Sequence, residues 1–92
     1  MRIDKFLKVS RIIKRRTVAS EACAGGRVMI NDKQVKPSAE VKAGDVITIR
    51  FGEHLGRYRV TDVREVVRKD QAGEMYTVLS EDAYTAAERN EV

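Results

Sequence analysis

The sequence has 92 residues, of which 42% are hydrophobic and 35% are charged, and its net charge is +4. A chain of this length folds as one small domain that buries about 60 to 65% of its unfolded surface, so a large substrate cavity is not expected. No hydrophobic run exceeds three residues, which argues against a signal peptide or a membrane span. Cys23 is the only cysteine, which argues against an intrachain disulfide or a thiolate zinc cluster. Together these features predict a cytoplasmic protein.

The charge is distributed unevenly along the chain. Residues 1–36 carry ten Lys or Arg against three Asp or Glu, whereas residues 37–92 carry eight against eleven. The two parts therefore have net charges of +7 and −3. Such asymmetry in a short chain predicts a cationic surface that binds nucleic acid or another polyanion.

Two helices are predicted at the N-terminus. The first spans residues 3–13, since apolar residues recur there at helical spacing on one face, namely Ile3, Phe6, Leu7 and Ile13. The second starts after Thr17, which we expect to act as its N-cap. A narrow apolar stripe runs along it through Val18, Ala19, Ala22 and Cys23. Gly25 or Gly26 is expected to end it in a left-handed conformation.

A small, mostly antiparallel sheet is predicted to follow the helices. Residues 27–36 form a hairpin with a turn at Asn31 and Asp32, and residues 46–51 form a third strand in which Ile47, Ile49 and Phe51 face inward. A loop at residues 52–56, a strand from residue 57 and a last strand at residues 75–80 complete the prediction. The fold class is therefore α+β. Residues 1–52 form the core of two helices and the first strands, which is the candidate RNA-binding unit, residues 53–80 add strands that complete the sheet, and residues 81–92 are a tail that forms a short helix or frays.

The candidate functional residues are the basic side chains. Seven of the first sixteen residues are Lys or Arg, a higher density than one ordinary solvated helix face carries. Contacts to phosphates provide most sequence-independent affinity for nucleic acids, and Arg binds phosphate through a bidentate fork. The set consists of Arg2, Lys5, Lys8, Arg11, Lys14, Arg15, Arg16 and Arg27.

Residues 2–49 resemble the S4 RNA-binding domain, named for the fourth protein of the small ribosomal subunit. The resemblance depends on "RIDKFL", Arg16 with Ala19, Gly26 before "RVMIN", "VKPS", and "GD" before an apolar strand. It implies two antiparallel helices on a small sheet, with RNA contacts from Arg2, Lys5, Arg15, Arg16, Thr17, Arg27 and Asn31. Lys33 completes the predicted RNA-binding set. The family usually has Ser at the position of Arg15 and Gly at the position of Asp32.

The whole chain is similar to free-standing members of this family that act in ribosome-associated quality control. The resemblance implies binding to a large ribosomal subunit that still carries peptidyl-tRNA, through contacts with large-subunit rRNA and the P-site tRNA. It further implies cooperation with a partner that recruits alanyl-tRNA, so that stalled chains receive a C-terminal alanine tail. No enzymatic activity, cofactor, metal or membrane contact is implied.

Two other functions can be framed from the residues alone. A DNA-binding helix-turn-helix protein would have two adjacent basic helices, but its recognition helix would carry polar base-reading residues, and the second helix here offers only Ser20 and Glu21 among alanines. A small enzyme would use Cys23 or His54, which lie on elements with no evident reason to meet. Structural roles are predicted for both residues.

Overall fold

The computed structural model describes residues 1–85 and 87, in which two N-terminal helices pack on one face of a five-stranded sheet. The helices are α1 (Ile3–Val9) and α2 (Arg16–Ala24), and the strands are β1 (Val28–Ile30), β2 (Lys33–Gln34), β3 (Val46–Phe51), β4 (His54–Val60) and β5 (Tyr76–Ser80). The strand order is β2-β1-β3-β4-β5, and every adjacent pair is antiparallel. The predicted α+β class, with two helices on a small antiparallel sheet, is confirmed.

The core lies between the helices and the inner face of the sheet. It is built from buried apolar side chains, among them Ile3, Phe6, Leu7, Ala19, Ala22, Cys23, Val28, Ile47, Ile49, Tyr58 and Val60. Each large member contributes about 1.5 to 3 kcal/mol by leaving water. The alanines and the cysteine of α2 are small, which lets that helix lie close to α1.

The first helix is shorter than predicted. It ends at Val9, and Arg11 adopts a left-handed backbone conformation with φ of 62°. In a continuous helix the 3.6-residue period would place Ile12 on the side opposite to Ile3, exposed to water. The left-handed turn at Arg11 instead buries both Ile12 and Ile13, which are 0% and 1% exposed.

The second helix begins two residues earlier than predicted, at Arg16. Arg15 is its N-cap and makes no side-chain capping bond, so the prediction of Thr17 as the cap is wrong. Thr17 is exposed within the first turn. The predicted left-handed stop is confirmed at Gly26, whose φ is 75°.

The turns of the two hairpins determine where the strands of the sheet begin and end. Asn31 and Asp32 have φ of 51° and 68°, so they form the predicted tight turn between β1 and β2. The predicted loop at residues 52–56 is wrong, because Phe51 pairs with His54 and only Gly52 and Glu53 lie in the turn.

The last predicted strands also differ in part from the structure. The strand predicted from residue 57 ends at Val60, where the chain turns away and the N–H of Thr61 donates to the carbonyl of Met75 at 2.9 Å. The connection to β5 contains a 3₁₀ helix at Lys69–Met75. The last strand is confirmed as β5, and residues 83–85 and 87 are helical. Residues 86 and 88–92 of the predicted tail lie outside the described residues. Within the described part of the chain, no helix is long and apolar enough to cross a membrane.

Candidate nucleic-acid interface

Asp4 lies at the centre of the most organised part of the basic surface. Its carboxylate is 4% exposed and accepts two hydrogen bonds from Arg2, at 3.2 Å from Nε and 3.1 Å from Nη2. The Nη2 group of Arg16 lies 3.5 Å from the same carboxylate. The guanidinium groups of both arginines remain about half exposed, at 51% and 48%.

The two helices position this cluster. Asp4 is in the first turn of α1, where its carboxylate also accepts the N–H of Lys5 at 2.7 Å and faces the positive end of the helix dipole. Arg16 is the first residue of α2. A buried carboxylate is costly unless it is paired, so packing α2 on α1 brings a second cation to Asp4. The cluster keeps a net charge of +1.

The backbone around Arg2 is held on both sides. The N–H of Ile3 donates to the carbonyl of Ala39 at 2.7 Å, and the N–H of Val41 donates to the carbonyl of Met1 at 3.0 Å. The backbone of Arg2 is therefore fixed, and its guanidinium group is hydrogen-bonded to the Asp4 carboxylate. Together these contacts restrict the rotamers of the side chain. Pre-ordering of this kind reduces the entropy that a ligand must remove on binding.

The other predicted cations of the helical region lie on α1, on α2 or between them. Lys5 forms an ion pair with Glu65, and this contact lowers the pKa of that carboxyl. Lys8 and Arg11 line a groove of about 230 Å³ together with Val9 and residues 65–67. Lys14 and Arg15 are exposed at the start of α2. Among residues 1–85 and 87, none carries an acidic group paired with Lys8, Arg11, Lys14 or Arg15.

The remaining predicted residues lie apart from this group. Arg27 precedes β1, with its backbone carbonyl bonded to the N–H of Arg50 at 2.9 Å. Lys33 is exposed on the edge strand β2. The side chain of Asn31 is used inside the fold, since its Oδ1 accepts the N–H of Val46 at 3.0 Å and its Nδ2 donates to Asp45 at 3.1 Å. Arg27 lies between the end of α2 and β1, and its contact with RNA stays a prediction.

Cys23 is buried, and His54 contacts other side chains of the fold. Burial and the charge of Asp4 raise the pKa of the Cys23 thiol to about 11, so it stays protonated at neutral pH. His54 lies 2.7 Å from Asp82 and its ring stacks on Tyr84 with centroids 4.2 Å apart. No cluster of three or more His, Cys, Asp or Glu side chains suited to a metal occurs in the part of the chain that the structure describes.

Comparison with known proteins shows the family of this chain. Residues 1–47 match the S4 domain family. The chain belongs to the S4 domain family. An RQC P-site tRNA stabilizing factor from Bacillus subtilis is 50% identical over 82 residues, which cover 89% of this chain and 95% of that protein. A protein of the same name from Streptococcus pneumoniae is 46% identical over 88% of this chain and 92% of that protein.

A solved structure extends the similarity to the whole fold. Heat Shock Protein 15 of Vibrio cholerae superimposes with a TM-score of 0.78 over 99% of this chain and 90% of that protein, at 28% identity. The S4 domain match ends at residue 47, whereas this superposition includes β4 and β5. The strands after the S4 domain are thus part of the shared fold.

Sequence reasoning missed the central role of Asp4. The sequence pattern assigns Asp4 no contact with Arg16, because this contact crosses between two helices. One signal was present, since Asp4 is one of only three acidic residues among the first 36 and lies at a helical position next to the buried Ile3. A buried carboxylate in a strongly basic segment predicts paired cations.

Proposed function

We propose that the protein is a non-enzymatic RNA-binding factor that stabilises tRNA in the P site of large ribosomal subunits during ribosome-associated quality control. The observation that carries this proposal is the convergence of Arg2 and Arg16 on the buried carboxylate of Asp4. The names of the relatives, which share 46 to 50% of their residues with this chain, support the same function.

The cluster is suited to binding phosphates of structured RNA. A guanidinium has five N–H donors, and Asp4 uses two of those on Arg2 and one on Arg16. The remaining donors are available to phosphate oxygens on the half-exposed sides of the two groups. A-form RNA is recognised mainly through its backbone and shape, which requires fixed cations rather than stacking aromatic rings.

The wider function follows from the same proposal. The protein contacts large-subunit rRNA and P-site peptidyl-tRNA in the cytoplasm, and supports C-terminal alanine tailing by a partner that recruits alanyl-tRNA. A binding role does not use the Cys23 thiol, which burial keeps protonated at neutral pH. The exposed residues of α2 after its first turn include Glu21, an acid unsuited to reading DNA in a cationic recognition helix.

Co-sedimentation with large ribosomal subunits that carry P-site tRNA tests this function. Arg2→Ala and Arg16→Ala each remove charge-assisted phosphate contacts worth roughly 1.5 to 3 kcal/mol, so the dissociation constant should rise about 10- to 100-fold. Arg68→Ala, which removes an exposed cation next to the 3₁₀ helix, serves as the control. Folded Arg2 and Arg16 variants that sediment at the wild-type level, or tenfold tighter binding of wild type to duplex DNA than to structured RNA at matched salt, would contradict the proposal.

A further inference from the structure

The face of the sheet that points away from the helices carries a second group of arginines. Along β4, Gly56, Tyr58 and Val60 are buried, whereas Arg57 and Arg59 alternate with them and are exposed. Along β3, the exposed Arg50 lies between the buried Ile49 and Phe51. We call Arg50, Arg57 and Arg59 the outer-face arginines. They lie on the side of the sheet opposite to α1 and α2.

The strand register brings these arginines together. Arg50 pairs with Leu55 and Thr48 pairs with Arg57, so Arg50 and Arg57 are diagonal neighbours about 7 to 8 Å apart. Arg59 is two residues beyond Arg57 on the same strand, roughly 7 Å away. The register of β1 and β3 places Arg27 opposite Arg50, with their backbones joined by a 2.9 Å hydrogen bond. The backbone of Arg27 therefore lies at the edge of the group, and its Nε lies 3.6 Å from the Cβ position of Gly25 at the end of α2.

The positive charge of this face is largely uncompensated. The Nη2 group of Arg57 lies 4.0 Å from Asp32, an exposed and weak ion pair. Arg27, Arg50 and Arg59 form no ion pair with any residue in 1–85 or 87. Like charges on adjacent segments of a sheet repel each other, and the backbone of Arg27, the residue before β1, is hydrogen-bonded to that of Arg50. An anionic ligand that binds between them would remove this repulsion.

The shape and composition of the face indicate which anion it binds. The cross-strand partners of the outer-face arginines are Leu55, Thr48, Val46, Ser80 and Thr77. This set contains no aromatic ring on which unpaired bases could stack and only one large exposed aliphatic side chain, Leu55 at 49% exposure. A shallow surface of spaced guanidinium groups therefore fits the phosphate backbone of a structured RNA rather than a single strand or an apolar protein surface.

We propose that the outer-face arginines, with Arg27 at their edge, form a second RNA-binding surface that contacts phosphates of a different RNA segment from the one held by Arg2 and Arg16. This inference rests on the proposed function, since it assumes that the helical side binds RNA. The described residues span 31 by 25 by 23 Å, so the two surfaces lie within one small molecule. The protein thereby joins two RNA segments.

Variants that remove equal charge from different places test this proposal. Arg50→Gln with Arg59→Gln neutralises two outer-face arginines, and Arg68→Gln with Lys69→Gln removes the same charge near the 3₁₀ helix. Affinity for large subunits carrying P-site tRNA is measured over a range of salt concentrations. We expect the outer-face double variant to bind at least tenfold more weakly, with a slope of log K against log salt that is about two units shallower. The control should stay within about threefold of wild type.

The outcomes separate this inference from the proposed function. If the outer-face double variant binds large subunits as tightly as the Arg68 and Lys69 control does, the second RNA-binding surface is excluded. If only the Arg2 and Arg16 variants lose affinity, the proposed RNA-binding role of the helical side still stands. Failure of wild type to bind at all would overturn the proposed function instead. Circular dichroism should show an unchanged or slightly raised melting temperature for the outer-face variant, because it relieves the Arg27–Arg50 repulsion.

Photocrosslinking identifies the partner directly. Leu55 is replaced by p-benzoylphenylalanine, since it is exposed and pairs with Arg50 on the same face. Irradiation of the complex with large subunits should produce an adduct that ribonuclease removes. An adduct to ribosomal proteins alone would overturn the assignment of RNA to this surface.

Discussion

Arg2 and Arg16 belong to the starts of two different helices, yet their guanidinium groups reach the same carboxylate, that of Asp4. Packing α1 on α2 therefore also positions the two cations that we propose to bind RNA. Asp4 neutralises one of the two positive charges and in exchange restricts both side chains. If RNA affinity depends on fixed arginine side chains, a variant without the carboxylate should bind more weakly. If affinity depends on net charge, the same variant should bind more tightly.

Asp4→Asn should weaken RNA binding although it makes the protein more cationic. Loss of the carboxylate frees the two arginine side chains, and ordering each of them again on binding costs about 0.5 to 1.5 kcal/mol. We expect roughly tenfold weaker binding to large subunits that carry P-site tRNA. The free energy of unfolding should fall by about 1 to 2 kcal/mol, less than for a fully buried pair because both guanidinium groups are half exposed.

Glu65→Gln is the matched control for this variant. It also removes one negative charge beside a cation of the helical side, but Glu65 is 68% exposed and its partner Lys5 is not held by a buried group. Binding should be unchanged or slightly tighter. If Asp4→Asn tightened binding as Glu65→Gln does, net charge rather than positioning would govern affinity.

Hydrophobic spacing was sufficient to predict the helices and most of the strands, because a two-layer α+β domain must bury one face of each. The element ends were harder to predict. The end of α1 depends on the burial of Ile12, which lies on the polar side of the predicted helix and is covered only after the turn at Arg11. The early start of β4 was not predicted, because Gly56 faces inward but has no apolar side chain. The alternation of apolar and polar residues is therefore not visible at that position.

The residues of the candidate site could be predicted from the sequence, but the contacts between them could be predicted only in part. Charge density identified the cations, and the S4 resemblance selected among them. The shared contact of Arg2 and Arg16 with Asp4, the internal use of the Asn31 amide and the placement of Arg27 opposite Arg50 all depend on contacts between distant segments. The outer-face arginines belong to residues 37–92, which have a net negative charge. Counting charges along the chain therefore did not indicate a cationic surface there.

Gly56→Ala should destabilise the protein, because its inward space is filled by Tyr58. A Cβ atom at this position would overlap the buried hydroxyl of Tyr58, whose side chain is 0% exposed and hydrogen-bonded to Glu81. Overpacking of this kind typically costs 1 to 3 kcal/mol. Gly73→Ala is the control, since no atom lies within 4 Å of its Cβ position. Urea unfolding should separate the two, and equal stability would show that Tyr58 can move aside.

Asp82 should make stability depend on pH in the acid range. The N–H of Thr85, at 2.7 Å, and then the ring of His54 lower the pKa of Asp82 from 3.8 to about 2. A lowered pKa in the folded state means that the carboxylate stabilises the fold above pH 3.8 and that this contribution disappears as the pH falls toward 2. The melting temperature of wild type should exceed that of Asp82→Asn near neutral pH, and the difference should shrink through this window. A difference that does not change with pH would contradict the role of the charged form.

Asp32 combines an unfavourable backbone conformation with an acid beside the outer face. Its φ of 68° strains a residue with a side chain, and its carboxylate lies 4.0 Å from Arg57. Asp32→Gly should raise the free energy of unfolding by about 0.5 to 1 kcal/mol, since glycine accepts this conformation without strain and the ion pair that is lost is weak. Asp32→Asn keeps a side chain and removes only the charge, so its stability should change less.

Both variants should bind large subunits about twofold more tightly, because both remove a negative charge next to Arg57. Urea unfolding and binding at matched salt test the two effects separately, and tighter binding by Asp32→Gly alone would assign the change in affinity to the turn rather than to the charge.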